Sequence, residues 1–211
     1  MKGFFSPDAP LAHILSTLFD LMILNIVFVF CCLPVVTAGA ASAALLRQTF
    51  SLVKGGGVSV SKFFQAFREN AKNATIVWLA FLLITALVYM DIRLLQTNRL
   101  PLGGFVAVLV WIMYLVCAAV LVYAIALMVK FENTLKNYIV CAFFFVFSHL
   151  PATVLLLLLN AAPIAVFLLY PSTFLTLLPF WVLIAFSLAS LGSAWLLTRC
   201  FQNYLPPDPN A

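Results

Sequence analysis

From Asn137 to Thr198 the chain runs without a Lys, Arg, Asp or Glu. As one helix this stretch would be about 93 Å long, three times the hydrocarbon thickness of a bilayer, so it has to fold back within the membrane. Shorter apolar runs precede it. The first centres on Leu21 to Val36, begins near residue 14 and is bent or ended by Pro34, giving a span over about 14–36. Two more are expected over 75–92 and 105–129, with Trp78 and Tyr89 near the ends of the former as interfacial aromatics. The charge-free stretch holds a fourth over 151–170 and a fifth over 174–198. The fourth is the hardest to bound, because Pro151 and Pro163 interrupt a region too long for one upright span and too short for two. The pattern reads as an all-α, polytopic transmembrane helical bundle of about five spans, one integral membrane domain across 1–211.

Between the first two spans, Thr37 to Lys54 reads as a helix with almost no side-chain bulk at its start. Gly39 and Ala43 stand four apart on it, the small-xxx-small spacing that lets membrane helices approach closely. Gly55-Gly56-Gly57 makes a turn. Residues 58–74 then place Phe63, Phe64, Phe67, Ala71 and Ala74 on one helical arc and Lys62, Gln65, Arg68, Glu69 and Lys72 opposite. Such a helix is expected to lie flat on the cytoplasmic surface, with Lys62, Arg68 and Lys72 facing lipid head groups or a partner. The run Phe63-Phe64-Gln65-Ala66-Phe67 is echoed by Phe143-Phe144-Phe145-Val146-Phe147, an offset of 80 residues that suggests a weak internal repeat of span, surface helix and span.

With 65% hydrophobic and 8% charged residues and a mean hydropathy of +1.17, the composition leaves no water-soluble surface around a single core. The net charge of +5 does not gather on a soluble module, which argues against nucleic acid and for the positive-inside rule. Arg47, Lys54, Lys62, Arg68 and Lys72 fall between the first two spans, which places that connection in the cytoplasm. Five spans then leave Lys130, Lys136 and Arg199 inside and Lys2, Arg93 and Arg99 outside, with the N-terminus outside and the C-terminus cytoplasmic. Ala38-Gly39-Ala40 mimics a signal cleavage site, but the weakly charged start and the interruption by Asn25 favour a retained first span. The five cysteines lack metal-site or disulfide spacing.

Few residues invite chemistry. Asp20 sits at the expected outer interface, while Asn25, about one turn deeper, is the better candidate for an interhelical hydrogen bond or a solute path. His13 shares a helical face with Asp20, and His149 directly precedes Leu150-Pro151, where it would cap a helix end. Glu132 and Lys136 have the i,i+4 spacing of a local charge pair. No metal-ligand, nucleophile, phosphate-loop or dinucleotide motif is present, so neither an enzyme nor a cofactor is expected.

Asn25 through Cys31-Cys32-Leu33-Pro34-Val35-Val36-Thr37-Ala38-Gly39-Ala40, then Leu52-Val53-Lys54-Gly55, Phe63-Phe64, Asn70, Trp78 and the later Phe131-Glu132-Asn133 and His149-Leu150-Pro151, resembles the YesL family of bacterial integral membrane proteins. The resemblance implies a small helical protein of the bacterial plasma membrane with no established biochemical role. It also implies an accessory or regulatory place beside carbohydrate uptake, with a sugar ABC importer or another membrane protein as partner besides the lipid bilayer. The alternative is a small transporter or channel for a neutral solute, working as a homo-oligomer and using helices broken at Pro34, Pro151 and Pro163.

Overall fold

The computed structural model describes residues 10–98 and 103–202, and the side chains from 15 to 95 and from 104 to 202. Lys2, Arg99, both termini and the His13 side chain lie outside the described residues. All regular structure among the described residues is helical. Five helical stretches are long and apolar enough to cross a membrane: Leu15–Cys32, Val60–Leu95, Gly104–Lys130, Leu150–Leu169 and Leu178–Gln202.

Helix α1, Pro10–Cys32, stops two residues short of Pro34, since proline disfavours helical backbone in the residue before it. The first span therefore ends at Cys32 rather than at residue 36. A single 3₁₀ turn, Val35–Thr37, follows, and the Thr37 hydroxyl closes the end by donating to the carbonyls of Cys31 (2.7 Å) and Pro34 (2.8 Å). Helix α2, Ala38–Val53, packs closely, as its small residues predict: Gly39 to Ala41, Ala43 to Leu46 and Gln48 to Phe50 are buried among α1 and its later neighbours. Gly55 then takes φ +78°, a conformation glycine adopts without penalty, and two turn hydrogen bonds reverse the chain.

Helix α3, Val60–Asn98, corrects a second expectation. The surface helix 58–74 and the span 75–92 are one uninterrupted helix of 39 residues, about 58 Å long. No glycine or proline lies within it, and the change from polar to apolar sequence near Thr75 does not break backbone hydrogen bonding. Phe63, Ala66, Asn70, Ala74 and Val77 form its buried stripe, while Lys62, Arg68 and Lys72 are exposed.

Helix α4, Gly103–Lys130, packs on α3 and on the short α5, Leu135–Ser148. Helix α6, Leu150–Leu169, supplies the fourth span within a residue of its expected bounds. It carries Pro151 in its first turn and continues through Pro163. The breaks in the last span lie elsewhere: α7, Pro171–Thr176, and α8, Leu178–Phe180, lead into a π-helical turn, Trp181–Ala185, and only then into α9, Phe186–Gln202.

Two apolar clusters meet across α2. Ala43, Leu46 and Phe50 join Ala74, Tyr123, Ala142, Leu156, Leu197 and Phe201, while Ala44 and Leu45 face Leu24, Phe63 and Ala66. The 80-residue echo does not mark equivalent places throughout: Phe63 is fully buried beside α2, whereas its counterpart Phe143 is exposed on α5. The match is partial, since Ala66 and Val146 are both buried and Phe64 and Phe144 both exposed.

Candidate functional site: a polar seam along the last helix

Asn25, one of the two polar residues singled out in the first span, is fully buried on α1. Its amide nitrogen donates to the carbonyls of Trp181 (2.8 Å) and Val182 (2.6 Å), and its oxygen accepts the backbone N–H of Ser187 (2.8 Å). The two carbonyls belong to the π-helical turn and the N–H lies just beyond it, where the change in hydrogen-bond register frees backbone donors and acceptors. A side chain carrying both a donor and an acceptor is what such a turn requires, and a carboxylate or a hydroxyl would leave part of it unmet.

The seam continues along α9. Thr49 of α2 meets Ser190 at 3.0 Å, with its hydroxyl also reaching the carbonyls of Leu45 and Leu46. Asn160 of α6 donates to the Ser193 hydroxyl at 3.1 Å and to the carbonyl of Leu156 at 2.8 Å. Ser187, Ser190 and Ser193 recur every third residue, so α9 presents one polar stripe to α1, α2 and α6. The Ser187 hydroxyl and the Trp181 indole nitrogen are enclosed without a hydrogen-bond partner. Seam members are amides, hydroxyls, an indole and backbone groups, so it fixes helix register and carries no titratable acid or base.

The remaining candidates lie apart. Asp20 is half-buried and takes no part in the seam. Thr85, another polar residue of the spans, bonds the Phe81 carbonyl and approaches the Tyr114 hydroxyl. Gly39 marks a close helix crossing: a Cβ there would lie 2.5 Å from the Trp78 Cβ and 2.6 Å from the Ala74 carbonyl oxygen. Ala43, one turn on, is fully buried in the same core, and the Trp78 indole donates to the Val35 carbonyl at 2.8 Å. The small-residue face is thus occupied within the chain. Lys62, Arg68 and Lys72 line the outer face of α3, where Glu69 is taken up by an ion pair to Arg47 and a 2.9 Å hydrogen bond from Gln65.

His149 joins α5 to α6. Its backbone N–H bonds the Phe145 carbonyl and its ring stacks on Phe145. The ammonium of Lys130 is enclosed between the rings of Phe50 and Phe201, 5.5 and 4.9 Å from their centroids. Among the described residues no three His, Cys, Asp or Glu side chains gather as a metal site would need.

Sequence reasoning missed Thr49, Asn160 and Ser193. The three-residue serine spacing was the available signal, but its partners are distant in sequence and only packing reveals them.

A family model described as "Protein of unknown function, DUF624" matches residues 21–92, from Leu21 of α1 through α2 and most of α3. The match takes in Asn25, Gly39, Ala43, Thr49 and the exposed cations of α3, and overlaps the segment on which the YesL resemblance rests. No curated protein and no solved structure matches the chain.

Proposed function

We propose that this membrane-embedded helical protein is an accessory or regulatory component that acts by binding another membrane protein, and that it neither catalyses a reaction nor carries a solute itself. The observation behind this reading is how the polar groups of the core are used. Asn25, Thr49, Asn160 and Ser193 bond one another's helices, whereas a solute path would leave such groups facing a cavity. The exposed Lys62, Arg68 and Lys72 offer a cationic surface for a partner. The YesL resemblance supports a sugar ABC importer of the bacterial plasma membrane as that partner. Mild detergent extraction from native membranes should recover the chain with an importer subunit, and recovery always alone would count against the proposal. The positive-inside count supports an outward N-terminus and a cytoplasmic C-terminus. Reporters fused to each end should therefore report opposite sides.

One feature favours the alternative, a transporter for a neutral solute. The chain is broken between Tyr170 and Phe186, and the Ser187 hydroxyl and Trp181 indole nitrogen at the end of that break have no internal partner. Purified protein in liposomes should leave them impermeable to neutral sugars and polyols. Flux that disappears in Asn25→Leu would establish the transporter reading instead.

A further inference from the structure

A concave feature lies where α4 hands over to α5, away from the polar seam. It is an open cleft of ≈ 590 Å³, within the size range of small-molecule sites. Its inner walls are apolar, Leu127 from α4 and Val140 and Phe144 from α5, and its rim is polar, with Glu132, Asn137 and Tyr138. The rim is braced. The Tyr138 hydroxyl donates to the Phe131 carbonyl and accepts the Asn133 N–H, both at 2.7 Å, and the Asn137 amide donates to the Asn133 side-chain oxygen at 2.8 Å.

Glu132 is the one ionisable acid on this rim, and the structure leaves it without a counter-charge. The expected pair with Lys136 does not form: among the described residues the ion pair is Arg47 with Glu69. Lys130, two residues before Glu132, has its ammonium enclosed between Phe50 and Phe201. An exposed carboxylate beside aromatic walls attracts a cation, and ring faces add to that attraction. Val140 and Phe144 are exposed as well, so the cleft joins a polar rim to the bare apolar surface of α5. A ligand that fits both ends is an amphiphile with a cationic head.

We propose that this cleft holds an aminophospholipid, its primary ammonium on Glu132 and its chains along Val140 and Phe144. Three N–H donors let a primary ammonium hydrogen-bond the carboxylate, which a quaternary choline head cannot do. The proposal is independent of the partner reading above.

The test uses the full chain in nanodiscs of equal parts phosphatidylethanolamine, phosphatidylcholine and phosphatidylglycerol, with retained lipid counted by native mass spectrometry. The ethanolamine lipid should be retained over the choline lipid. Glu132→Gln should reduce that preference about tenfold, as expected for loss of one charge-assisted hydrogen bond, and Glu132→Asp should keep part of it. Phe144→Ala should lower total retention, and it removes an exposed side chain, so it still reports if the Glu132 variants fail to fold. Enrichment of phosphatidylglycerol would overturn the proposal by showing that the nearby lysines govern binding. Equal retention by wild type and Glu132→Gln would overturn it as well. Titration with free ethanolamine separates the sources: saturable binding that depends on Glu132, with no lipid enrichment, would make the ligand a soluble amine and sink the lipid assignment.

Discussion

Within α3 the more polar half is packed against protein and the more apolar half is bare. Between Val60 and Val77, where Lys62, Arg68, Glu69 and Lys72 lie, one stripe of the helix is buried and Phe63 is 0% exposed. From Leu79 to Met90 the sequence is apolar but for Thr85 and the Tyr89 hydroxyl, yet Leu83 is 63% and Met90 60% exposed. Helix α4 mirrors this, with Met113 exposed in its first half and Tyr123, Ala124 and Ala126 fully buried in its second. In water such an arm would be an aggregation surface. In a bilayer its side chains already meet a solvent as apolar as themselves, so nothing drives them inward and burial follows shape and hydrogen bonding instead.

If that contrast is right, two leucines on the two sides of it should respond very differently to truncation. Leu197→Ala, in the packed core, should lower stability by about 2–5 kcal/mol, while Leu83→Ala, on the bare arm, should change it by less than about 0.5 kcal/mol. Unfolding midpoints in mixed dodecyl sulfate and maltoside micelles measure both, and equal losses would erase the distinction between the regions.

Polar bonding is the second thing that separates them. Asn25→Leu strands two carbonyls and one N–H at the π-helical turn and should cost about 2 kcal/mol or more, with hydrogen exchange rising in residues 181–187. Close approach comes next. Gly39→Ala puts a methyl against the Ala74 carbonyl and Trp78, and a loss of about 1–3 kcal/mol in the same micelle titration is expected. Smallest of all should be Glu69→Gln. It breaks an exposed ion pair to Arg47, and the resulting shift should be below those of Leu197→Ala, Asn25→Leu and Gly39→Ala and fade in high salt.

What the sequence disclosed follows the same division. Apolar runs bounded by charges located the spans over 105–129 and 151–170 to within two residues of Gly103–Lys130 and Leu150–Leu169, because lipid imposes length and hydropathy on whatever crosses it. Gly39 and Asn25 were legible as a close-packing site and a hydrogen-bonding site from residue type alone. The join in α3 was misread because polarity was taken to mark a boundary, whereas a change from polar to apolar sequence does not by itself end a helix. The polar partners of α2 stayed hidden, because Arg47, Gln48 and Thr49 bond Glu69, Ser59 and Ser190, which lie 22, 11 and 141 residues away. The π-helical turn has no signature in Trp-Val-Leu-Ile-Ala. Its side-chain partner, Asn25, lies 156 residues away.

That separation has a consequence for biogenesis. The first helix enters the bilayer carrying an amide whose partners have not yet been synthesised. At about 5–20 residues per second the ribosome needs roughly 8–32 s to deliver Ser187 after Asn25. During that interval the nascent bundle must leave open the slot the C-terminal segment will fill. The helix that locks α1 in place is thus made long after it.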